Sequence, residues 1–277
     1  VQPCAGFLAH DSSDGGQTWT NIAGATAAAF TPTQGQVNSL LRVAVSFTDG
    51  GGTNEMVVSE PTGIVGDFIS DGIFGGTLTG TVGEDVLNGN GGNDTMIGGA
   101  GNDRIDGGGG FLGLGSGTDT AVFTGPVSNF VFDAVLPAGG NMIITAIDTT
   151  GAEGTDTIVN VEVLSIGGTN YTVVAGSNGN NNNLNGFNGS GGSQIVFGLN
   201  GNDVINGGTG NDILVGGAGN DALNGGTGTD IAIFNGNILN YNISTADGTN
   251  LVVSDTTGAE GTDTLNSIET LNFAGTN

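Results

Sequence analysis

The chain has 277 residues, among them 57 glycines, and its 27 acidic residues against two basic ones give a formal net charge of −25. A charge of this size repels nucleic acids and anionic membrane surfaces, and it attracts divalent cations. No apolar run approaches the roughly 18 residues that a membrane-spanning helix needs. The one cysteine, Cys4, excludes an intrachain disulfide, so an extracellular fold would need another cross-link, such as a metal.

Residues 1–64 are predicted to form part of a β-sandwich. Two of its segments, Leu40–Asp49 and Asn54–Ser59, are rich in apolar residues. Together with the segment around Trp19 they resemble the later strands of an immunoglobulin-like module of bacterial surface proteins. Such a module takes about 100 residues, and the opening Val1–His10 does not follow its pattern. We therefore expect a partial module in a fragment of a larger protein.

A linker is predicted over residues 65–79, and two runs of nine-residue repeats follow it. Each repeat is a glycine-rich turn that ends in an aspartate, with an apolar residue two positions later. A fixed period with a carboxylate and an apolar side chain in register is typical of a solenoid. The aspartates of these turns are Asp85, Asp94, Asp103, Asp119, Asp203, Asp212, Asp221 and Asp230. The apolar residues are Leu87, Met96, Ile105, Ile205, Leu214, Leu223 and Ala232.

The clearest repeats start at Gly98, Gly207, Gly216 and Gly225 and match the pattern G-G-x-G-x-D-x-U-x, in which U is a large apolar residue. They resemble the RTX nonapeptide of secreted bacterial proteins, which forms a Ca²⁺-binding parallel β-roll. The resemblance implies an all-β chain with two such rolls, each followed by a small β cap. The predicted parts are a first roll at 80–123, a cap at 124–175, a second roll at 176–234 and a cap at 235–277.

A disordered, Gly/Asn-rich linker would have a similar composition. It would not explain the apolar residue that recurs in the repeats. Without Ca²⁺ this alternative stays open, because facing carboxylates repel each other. The chain also has little apolar surface to offset the entropy of ordering so much glycine.

The resemblance also predicts which carboxylates meet. Two nonapeptides complete one coil, so each aspartate faces the aspartate two repeats on. Carboxylate and turn carbonyl oxygens suit Ca²⁺, whereas Mg²⁺ prefers a smaller octahedral shell; the repeats hold no His or Cys for a transition metal. The predicted pairs are Asp85 with Asp103, Asp203 with Asp221, and Asp212 with Asp230.

Three places depart from the repeat. Gln194 stands where an aspartate would face Asp212, so we expect a weak or empty site there. The break in the nine-residue spacing before Asp119 leaves its pairing with Asp94 open. The asparagine-rich stretch Asn178–Asn188 is interpreted as a degenerate coil with an asparagine ladder instead of metal.

The repeats and the segment after them occur twice. Thr118–Phe123 is matched by Thr229–Phe234, and Thr150–Thr157 by Thr257–Thr264. Alternating apolar residues predict short strands in both copies, and a solenoid needs its open ends covered, so each segment is expected to cap the roll before it. The predicted strands are 120–123, 130–134, 142–148 and 161–166, then 231–234, 241–245, 251–255 and 268–273.

Two acidic pairs lie within these caps, Glu153 with Asp156 and Glu260 with Asp263. We interpret them as solvated turns. Ca²⁺ binding by these pairs is the alternative.

No group of residues in the chain predicts catalysis, so the chain is not expected to be an enzyme. His10 is the only histidine and is expected to lie at the surface, without a nucleophile or an orienting partner. Gly113–Gly117 resembles a Gly-x-Ser-x-Gly turn, but it lies in a glycine-rich turn with no helix after it.

The resemblance implies a secreted, extracellular protein with Ca²⁺ as its cofactor and Ca²⁺-driven folding after type I export. The partners would be calcium ions and the type I secretion machinery, with no nucleic acid and no membrane span. One alternative is a structural or adhesive repeat region of a surface protein with a cell-surface or glycan partner. Another is the C-terminal tail of a secreted enzyme whose catalytic domain lies upstream.

Overall fold

The computed structural model describes residues 6–27, 29–109, 117–180, 184–185, 192–245 and 250–274. Regular structure in this part of the chain is almost entirely β, and none of its helices is long and apolar enough to cross a membrane. The strands are β1 (Gly6–Ser12), β2 (Thr20–Asn21), β3 (Leu40–Thr48), β4 (Asn54–Val58), β5 (Phe68–Ser70), β6 (Thr77–Thr79), β7 (Val86–Asn88), β8 (Thr95–Ile97), β9 (Arg104–Asp106), β10 (Thr120–Phe123), β11 (Phe130–Val135), β12 (Ile143–Asp148), β13 (Thr155–Val159), β14 (Val163–Ile166), β15 (Thr169–Ala175), β16 (Leu184–Asn185), β17 (Gln194–Phe197), β18 (Val204–Thr209), β19 (Ile213–Val215), β20 (Ala222–Thr227), β21 (Ile231–Phe234), β22 (Tyr241–Thr245), β23 (Leu251–Asp255), β24 (Thr262–Asn266) and β25 (Thr270–Phe273). Short 3-10 helices span Gln34–Gln36, Val127–Asn129 and Ile238–Asn240.

The N-terminal strands form an antiparallel sheet of their own in the order β2-β1-β3-β4. Strand β1 begins at Gly6, within the stretch whose pattern the sequence left unassigned, and it pairs with β3 along its whole length. The described residues contribute one sheet to this region, and on its edge strand Met56 and Val57 are 62% and 60% exposed. The immunoglobulin-like sandwich therefore remains a prediction.

The expectation that His10 lies at the surface is wrong. His10 is 7% exposed because its strand, β1, runs between β2 and β3. The Arg42 side chain donates from Nε to His10 Nδ1 at 3.3 Å, and its guanidinium carbon lies 4.2 Å from the ring centroid of Trp19. The three side chains thus form a local cluster, in which Trp19 remains partly exposed.

The nine-residue repeats form parallel coils, as the sequence predicted. Strand β7 pairs with β9 and β8 with β10 in the first roll, and β18 pairs with β20 and β19 with β21 in the second. The turns between the short strands use backbone angles open to glycine, such as φ 120° at Gly101 and 145° at Gly219. The recurring apolar side chains fill the interior: Leu87, Met96, Ile105, Ile205, Leu214, Leu223 and Ala232 are each at most 1% exposed.

The prediction of a linker over residues 65–79 is wrong, because these residues form the first coil of the first roll. Strand β5 pairs in parallel with β7, and β6 with β8. Ile69 pairs with Leu87 and Leu78 with Met96, so the apolar spacing of the repeats extends one coil further toward the N-terminus. The segment was misread because it keeps that spacing and has glycines, but its turns do not end in the Gly-x-Asp sequence of the later repeats.

Antiparallel strands close each roll. In the first roll β13 pairs in parallel with β9 and carries β12 and β11 beside it; in the second, β24, β23 and β22 do the same next to β20. All the cap strands expected from the sequence are present with small shifts at their ends, and β13, β15 and β24 were missed. The buried aromatic residues at these ends are Phe123, Phe130 and Phe132 in the first cap and Phe234, Tyr241 and Phe273 in the second.

The two rolls share one sheet. Its nine strands run in the order β25-β21-β19-β17-β15-β14-β10-β8-β6. The junction is the hairpin of β14 and β15, after which β15 pairs in parallel with β17, the first described strand of this sheet in the second roll. The first cap therefore provides the edge on which the second roll is built.

The first cap also covers the outer face of the second roll. Leu214 points into the second roll, whereas its neighbours Ile213 and Val215 belong to the same buried cluster as Phe130 and Phe132 of the first cap. Asn272 Nδ2 donates to the Phe130 carbonyl at 2.8 Å across this contact. Because of this packing, β19 is buried on both sides, unlike a roll strand that faces water.

Candidate metal centre

The three predicted aspartate pairs lie together in the structure. In each pair the earlier aspartate donates its backbone N–H to Oδ1 of the aspartate 18 residues later, and the N–O distance is 2.8 Å in every case. The pairs are Asp85 with Asp103, Asp203 with Asp221, and Asp212 with Asp230. Stacking of the coils thus produces ladders of carboxylates that run along each roll.

The structure also brings Asp94 and Asp119 together, a pairing that the sequence had left open. Asp94 N donates to Asp119 Oδ1 at 2.9 Å, although the two residues are 25 positions apart. Strand β10 stays in register with β8, with Ala121 opposite Met96, so the extra residues fall between β9 and β10 in the sequence. Residues 110–116, with most of the Gly113–Gly117 sequence, lie outside the described residues, as does Cys4.

Gln194 occupies the ladder position that the sequence assigned to it. Its backbone N–H donates to Asp212 Oδ1 at 2.8 Å, and its side-chain Nε2 donates to the Gly192 carbonyl at 3.0 Å. The amide oxygen Oε1 is buried without a hydrogen-bond partner. An amide oxygen is a neutral ligand for Ca²⁺, so the expectation of a weaker site here stays a prediction.

One contact of the asparagine-rich stretch is described: Asn180 Oδ1 accepts the backbone N–H of Asn202 at 2.8 Å. The same bond joins Asn202 Oδ1 to Asn220 N at 2.8 Å within the repeats, so an asparagine ladder in place of metal stays a prediction. Strand β16 of this stretch pairs in parallel with β18 of the next coil. Residues 181–183 and 186–191 lie outside the described part of the chain.

The second oxygen of the ladder aspartates has a different environment from the first. The Oδ2 atoms of Asp94, Asp103, Asp212, Asp221 and Asp230 are buried and have no hydrogen-bond partner. A buried acceptor that is left unsatisfied is costly. A row of such oxygens at the same position in successive coils therefore indicates that a ligand absent from the protein itself completes the site.

Glycine makes room for these oxygens. A Cβ added to Gly207 would lie 2.6 Å from Asp212 Oδ2 and 2.6 Å from the Gly225 carbonyl oxygen. A Cβ on Gly198 would meet the Gly216 carbonyl oxygen at 2.4 Å and Asp203 Oδ2 at 2.8 Å. Carboxylate and main-chain carbonyl oxygens thus converge beside the first glycine of each repeat. Such a set of hard oxygen ligands fits Ca²⁺.

Four carboxyl groups of the ladders resist ionisation when no metal is present. Burial raises the pKa of Asp103, Asp119, Asp212 and Asp221 to about 6. The backbone N–H that each of them accepts lowers the pKa, while nearby carboxylates raise it further. At neutral pH these groups would be mostly ionised at a considerable cost, which a bound cation would remove.

The cations of the chain lie elsewhere. Arg104 pairs with Asp106 at 2.9 Å in an exposed ion pair, and Arg42 lies between His10 and Trp19. The chain has no lysine, and its two arginines lie at these other places. In the described structure no basic side chain therefore faces the ladders. An unpaired buried charge costs several kcal/mol, so neutralisation must come from protons or from an external cation.

Four carboxylates that end the ladders were not assigned to them from the sequence: the two glutamates were not singled out, and the two aspartates were interpreted as solvated turns, with Ca²⁺ binding as the alternative. They belong to the caps and are Asp156, Glu162, Asp263 and Glu269. Asp156 and Asp263 are each 3% exposed, so their interpretation as solvated turns is wrong. The sequence did indicate that these two aspartates resemble those of the repeats. Both follow Gly-Thr, as does Asp230 of the last nonapeptide repeat.

The described residues contain no group of three or more His, Cys, Asp or Glu side chains that could hold a metal. The arrangement found here has two carboxylates for each pair of coils and takes its other oxygens from the backbone. It is therefore a site that forms only when coils stack, and side-chain clustering alone does not reveal it.

Comparison with known proteins supports this interpretation. Residues 79–111 and 197–232 match the family model of the RTX calcium-binding nonapeptide repeat, in four copies. No curated protein matches the chain. Among solved structures, an extracellular lipase, LipA from Serratia marcescens, is 19% identical with a TM-score of 0.21. The match covers 73% of this chain and 40% of the lipase chain, and at this TM-score no property of the lipase is carried over.

Proposed function

Because this chain carries RTX calcium-binding nonapeptide repeats, we propose that Ca²⁺ drives the folding of a secreted protein after its export by a type I system. One observation carries the proposal: buried aspartates stack in ladders with unsatisfied oxygens, and no basic side chain faces them in the described structure. The residues proposed as ligands are Asp85, Asp94, Asp103, Asp119, Asp203, Asp212, Asp221 and Asp230.

Bound Ca²⁺ would supply positive charge and a coordination shell for the Oδ2 atoms. Asp85 differs from the others, because its Oδ2 accepts the backbone N–H of Thr81. Asp94, Asp103, Asp212, Asp221 and Asp230 would each contribute Oδ2 to this shell, while Oδ1 holds the backbone of the preceding coil, as Asp230 Oδ1 holds Asp212 N. Because metal binding and coil stacking use the two oxygens of one side chain, each requires the other. Folding and binding should therefore be coupled and cooperative along each roll.

The same coupling suits export. Extracellular Ca²⁺ modules bind with dissociation constants of about 10⁻⁴–10⁻³ M, so the sites would stay empty inside the cell. A chain with a net charge of −25 and 57 glycines would then remain expanded, which is the state that a narrow secretion channel can carry. Outside the cell the sites would fill and the rolls would form.

A second candidate is a structural or adhesive role at a cell surface. The observation that favours it is the nine-stranded sheet that continues through both rolls, because a continuous sheet makes a stiff spacer. Retention of the folded protein on cells or on a glycan array would support this role. The repeat region itself is non-catalytic, so any enzymatic activity of a parent protein would belong to another domain.

Limited proteolysis tests the main proposal. The purified chain is digested at neutral pH in chelator, in millimolar Ca²⁺ and in millimolar Mg²⁺. We expect rapid cleavage throughout residues 80–274 in chelator and in Mg²⁺, and protection of the same region in Ca²⁺. Equal protection in all three buffers would contradict Ca²⁺-driven folding and would favour a permanently folded spacer.

A further inference from the structure

The caps end each roll with a turn that imitates a repeat. Asp103 N donates to Asp156 Oδ1 at 2.8 Å in the first roll, and Asp221 N donates to Asp263 Oδ1 at 2.8 Å in the second. These are the same bonds that join aspartates within the repeats, as between Asp85 N and Asp103 Oδ1. They are formed across separations of 53 and 42 residues instead of 18.

The backbone around these cap aspartates follows the repeat as well. Within the repeats, Asn202 Oδ1 accepts the N–H of Asn220 at 2.8 Å. At the cap, Asn220 Oδ1 accepts the N–H of Thr262 at 2.8 Å, and in the first roll Asn102 Oδ1 accepts that of Thr155 at 2.8 Å. The threonine before each cap aspartate therefore takes the place of the repeat asparagine.

A glutamate ends the other ladder of each roll. Asp119 N donates to Glu162 Oε2 at 2.8 Å, and Asp230 N donates to Glu269 Oε2 at 2.7 Å. The longer glutamate side chain reaches the position that an aspartate oxygen holds in the repeats. Both rolls thus carry a carboxylate from the cap at the end of each of their two ladders.

Carbonyl oxygens of the caps complete the resemblance. A Cβ on Gly225 would lie 2.1 Å from the Ser267 carbonyl oxygen and 2.5 Å from Asp230 Oδ2, whereas within the repeats the Gly225 carbonyl holds the equivalent place beside Gly207. In the first roll the Asn160 carbonyl oxygen takes this position beside Gly107, at 2.0 Å. Asn160 and Ser267 hold this position with left-handed φ of 55° and 50°, whereas Gly225, which holds it within the repeats, does not have a left-handed φ.

The last aspartates of the repeats point unsatisfied oxygens into this end of the roll. Asp103, Asp221 and Asp230 are at most 3% exposed, and their Oδ2 atoms have no hydrogen-bond partner. The cap carboxylates of Asp156 and Asp263, each 3% exposed, bring further negative charge next to them. Two acidic side chains from different parts of the chain thus meet in a water-poor place.

We propose that each roll binds Ca²⁺ between its last repeat coil and its cap, with Asp156 and Glu162 as cap ligands in the first roll and Asp263 and Glu269 in the second. This inference rests on the proposed function of the repeats. It changes the role of the caps, which become metal-dependent parts of the roll instead of passive covers. It also implies more bound Ca²⁺ than pairs of nonapeptides alone provide.

Counting bound Ca²⁺ by equilibrium dialysis tests the inference. The variants are Asp156→Asn, Asp263→Asn and the double variant, since asparagine keeps the oxygen that accepts the backbone N–H but removes the charge. The control is Asp133→Asn, in β11 of the first cap, whose side chain accepts only the N–H of Ala134 among the described contacts. We expect each single variant to lose one ion relative to wild type, the double variant to lose two, and the control to lose none.

The outcomes separate this inference from the proposed function. If wild type binds Ca²⁺ and the double variant binds the same number of ions, the cap sites are overturned while the repeat sites stand. If wild type binds no Ca²⁺, the proposed function itself fails. Circular dichroism in saturating Ca²⁺ establishes that each variant is folded; should Asp156→Asn not fold, Glu162→Gln is counted in its place, with loss of one ion expected and an unchanged number contradicting the inference.

Discussion

The two oxygens of a ladder aspartate do different jobs at the scale of a single residue. In Asp212, Oδ1 accepts the Gln194 backbone N–H at 2.8 Å, while Oδ2 is buried without a protein partner. One oxygen therefore fixes the stacking of the coils, and the other is available to a cation. A substitution that keeps the hydrogen bond to Oδ1 but removes the negative charge separates coil stacking from cation binding.

Asp212→Asn is such a substitution. We expect it to raise the Ca²⁺ concentration at the midpoint of folding at least about tenfold, equivalent to roughly 1.4 kcal/mol. The measurement is a far-UV circular dichroism titration with Ca²⁺. The control is Glu60→Gln, which removes one charge at an exposed position outside the rolls. Equal midpoints for the two variants would mean that Asp212 is not a ligand.

Gly98→Ala tests the space reserved for the carboxylate. A Cβ at this position would lie 2.3 Å from Asp103 Oδ2, so alanine would push the carboxylate out of place. We expect weaker Ca²⁺ binding and a loss of about 1–3 kcal/mol in the free energy of unfolding in Ca²⁺, as for other overpacked sites.

Gly109→Ala is the matched control for this change. Its added Cβ would meet no atom within 4 Å, and alanine fits its backbone angles. Denaturant unfolding in saturating Ca²⁺ should leave it at wild-type stability or slightly above. If Gly98→Ala behaved like this control, the oxygen cluster beside the glycine would not be a tight site.

The repeat aspartates could be predicted from the sequence because their spacing is regular. Asp156 and Asp263 could not be found by spacing, since their bonds to the ladders span 53 and 42 residues. Their local sequence was nevertheless informative, because Gly-Thr-Asp followed two residues later by Ile158 or Leu265 has the form of an accepted repeat. The interpretation was wrong because the neighbouring residues Glu153 and Glu260 suggested turns exposed to solvent.

At the scale of elements, the strands of the second roll are not alike. In β19 all three residues, Ile213, Leu214 and Val215, are buried, whereas in β20 Ala222 is exposed and Asn224 only partly buried. The sequence shows this contrast as three large apolar residues in β19 against one, Leu223, in β20. It could not show what covers the outer face, because the covering residues Phe130 and Phe132 lie in the first cap, far away in the chain.

A pair of valine substitutions tests this packing. Val215 is 3% exposed on the outer face of the shared sheet, and Val204, in β18 of the other sheet, is only partly buried. We expect Val215→Ala to lower the free energy of unfolding in Ca²⁺ by about 1.5–3 kcal/mol, the value of a fully buried side chain of this kind. Val204→Ala should lower the free energy of unfolding by clearly less. Similar losses in denaturant titrations would argue against burial by the first cap.

The charge balance dominates at the scale of the whole molecule. The chain has 27 acidic residues and only two basic ones, and the ladders place many of the acidic side chains inside the fold. The chain must either stay unfolded, bind protons or bind cations. This choice makes its stability depend on pH in a direction opposite to that of most proteins.

The metal-free chain should gain structure on mild acidification. In the unfolded chain aspartates lose their protons near pH 4, whereas in the folded chain burial raises the pKa to about 6 for Asp103 and Asp212, and to about 8 for Asp263. The folded state therefore holds more protons across this window, and the free energy of unfolding falls as pH rises through it.

The measurement is circular dichroism in Ca²⁺-free buffer between pH 5 and pH 8. We expect more β structure at pH 5 than at pH 8 without Ca²⁺, and little pH dependence over the same range in saturating Ca²⁺, because the ion replaces the protons. More structure at pH 8 than at pH 5 in Ca²⁺-free buffer would contradict the burial of uncompensated carboxyl groups.

The sequence predicted the all-β class, the rolls and their aspartate pairs, because the short period revealed the resemblance to the RTX nonapeptide, which implies all three. It did not predict that the rolls share a sheet through β14 and β15, nor that residues 65–79 complete a coil. These features depend on contacts between segments that do not repeat each other. They show that the two rolls and their caps form one connected structure.

The most direct test of the account is the radius of gyration, measured by small-angle X-ray scattering at neutral pH during a Ca²⁺ titration, with Mg²⁺ as the control. We expect it to fall cooperatively from near the roughly 58 Å of an unfolded chain of this length toward the roughly 19 Å of a compact one, in Ca²⁺ alone. A chain that is already compact in chelator, or that contracts equally in Mg²⁺, would contradict Ca²⁺-driven folding.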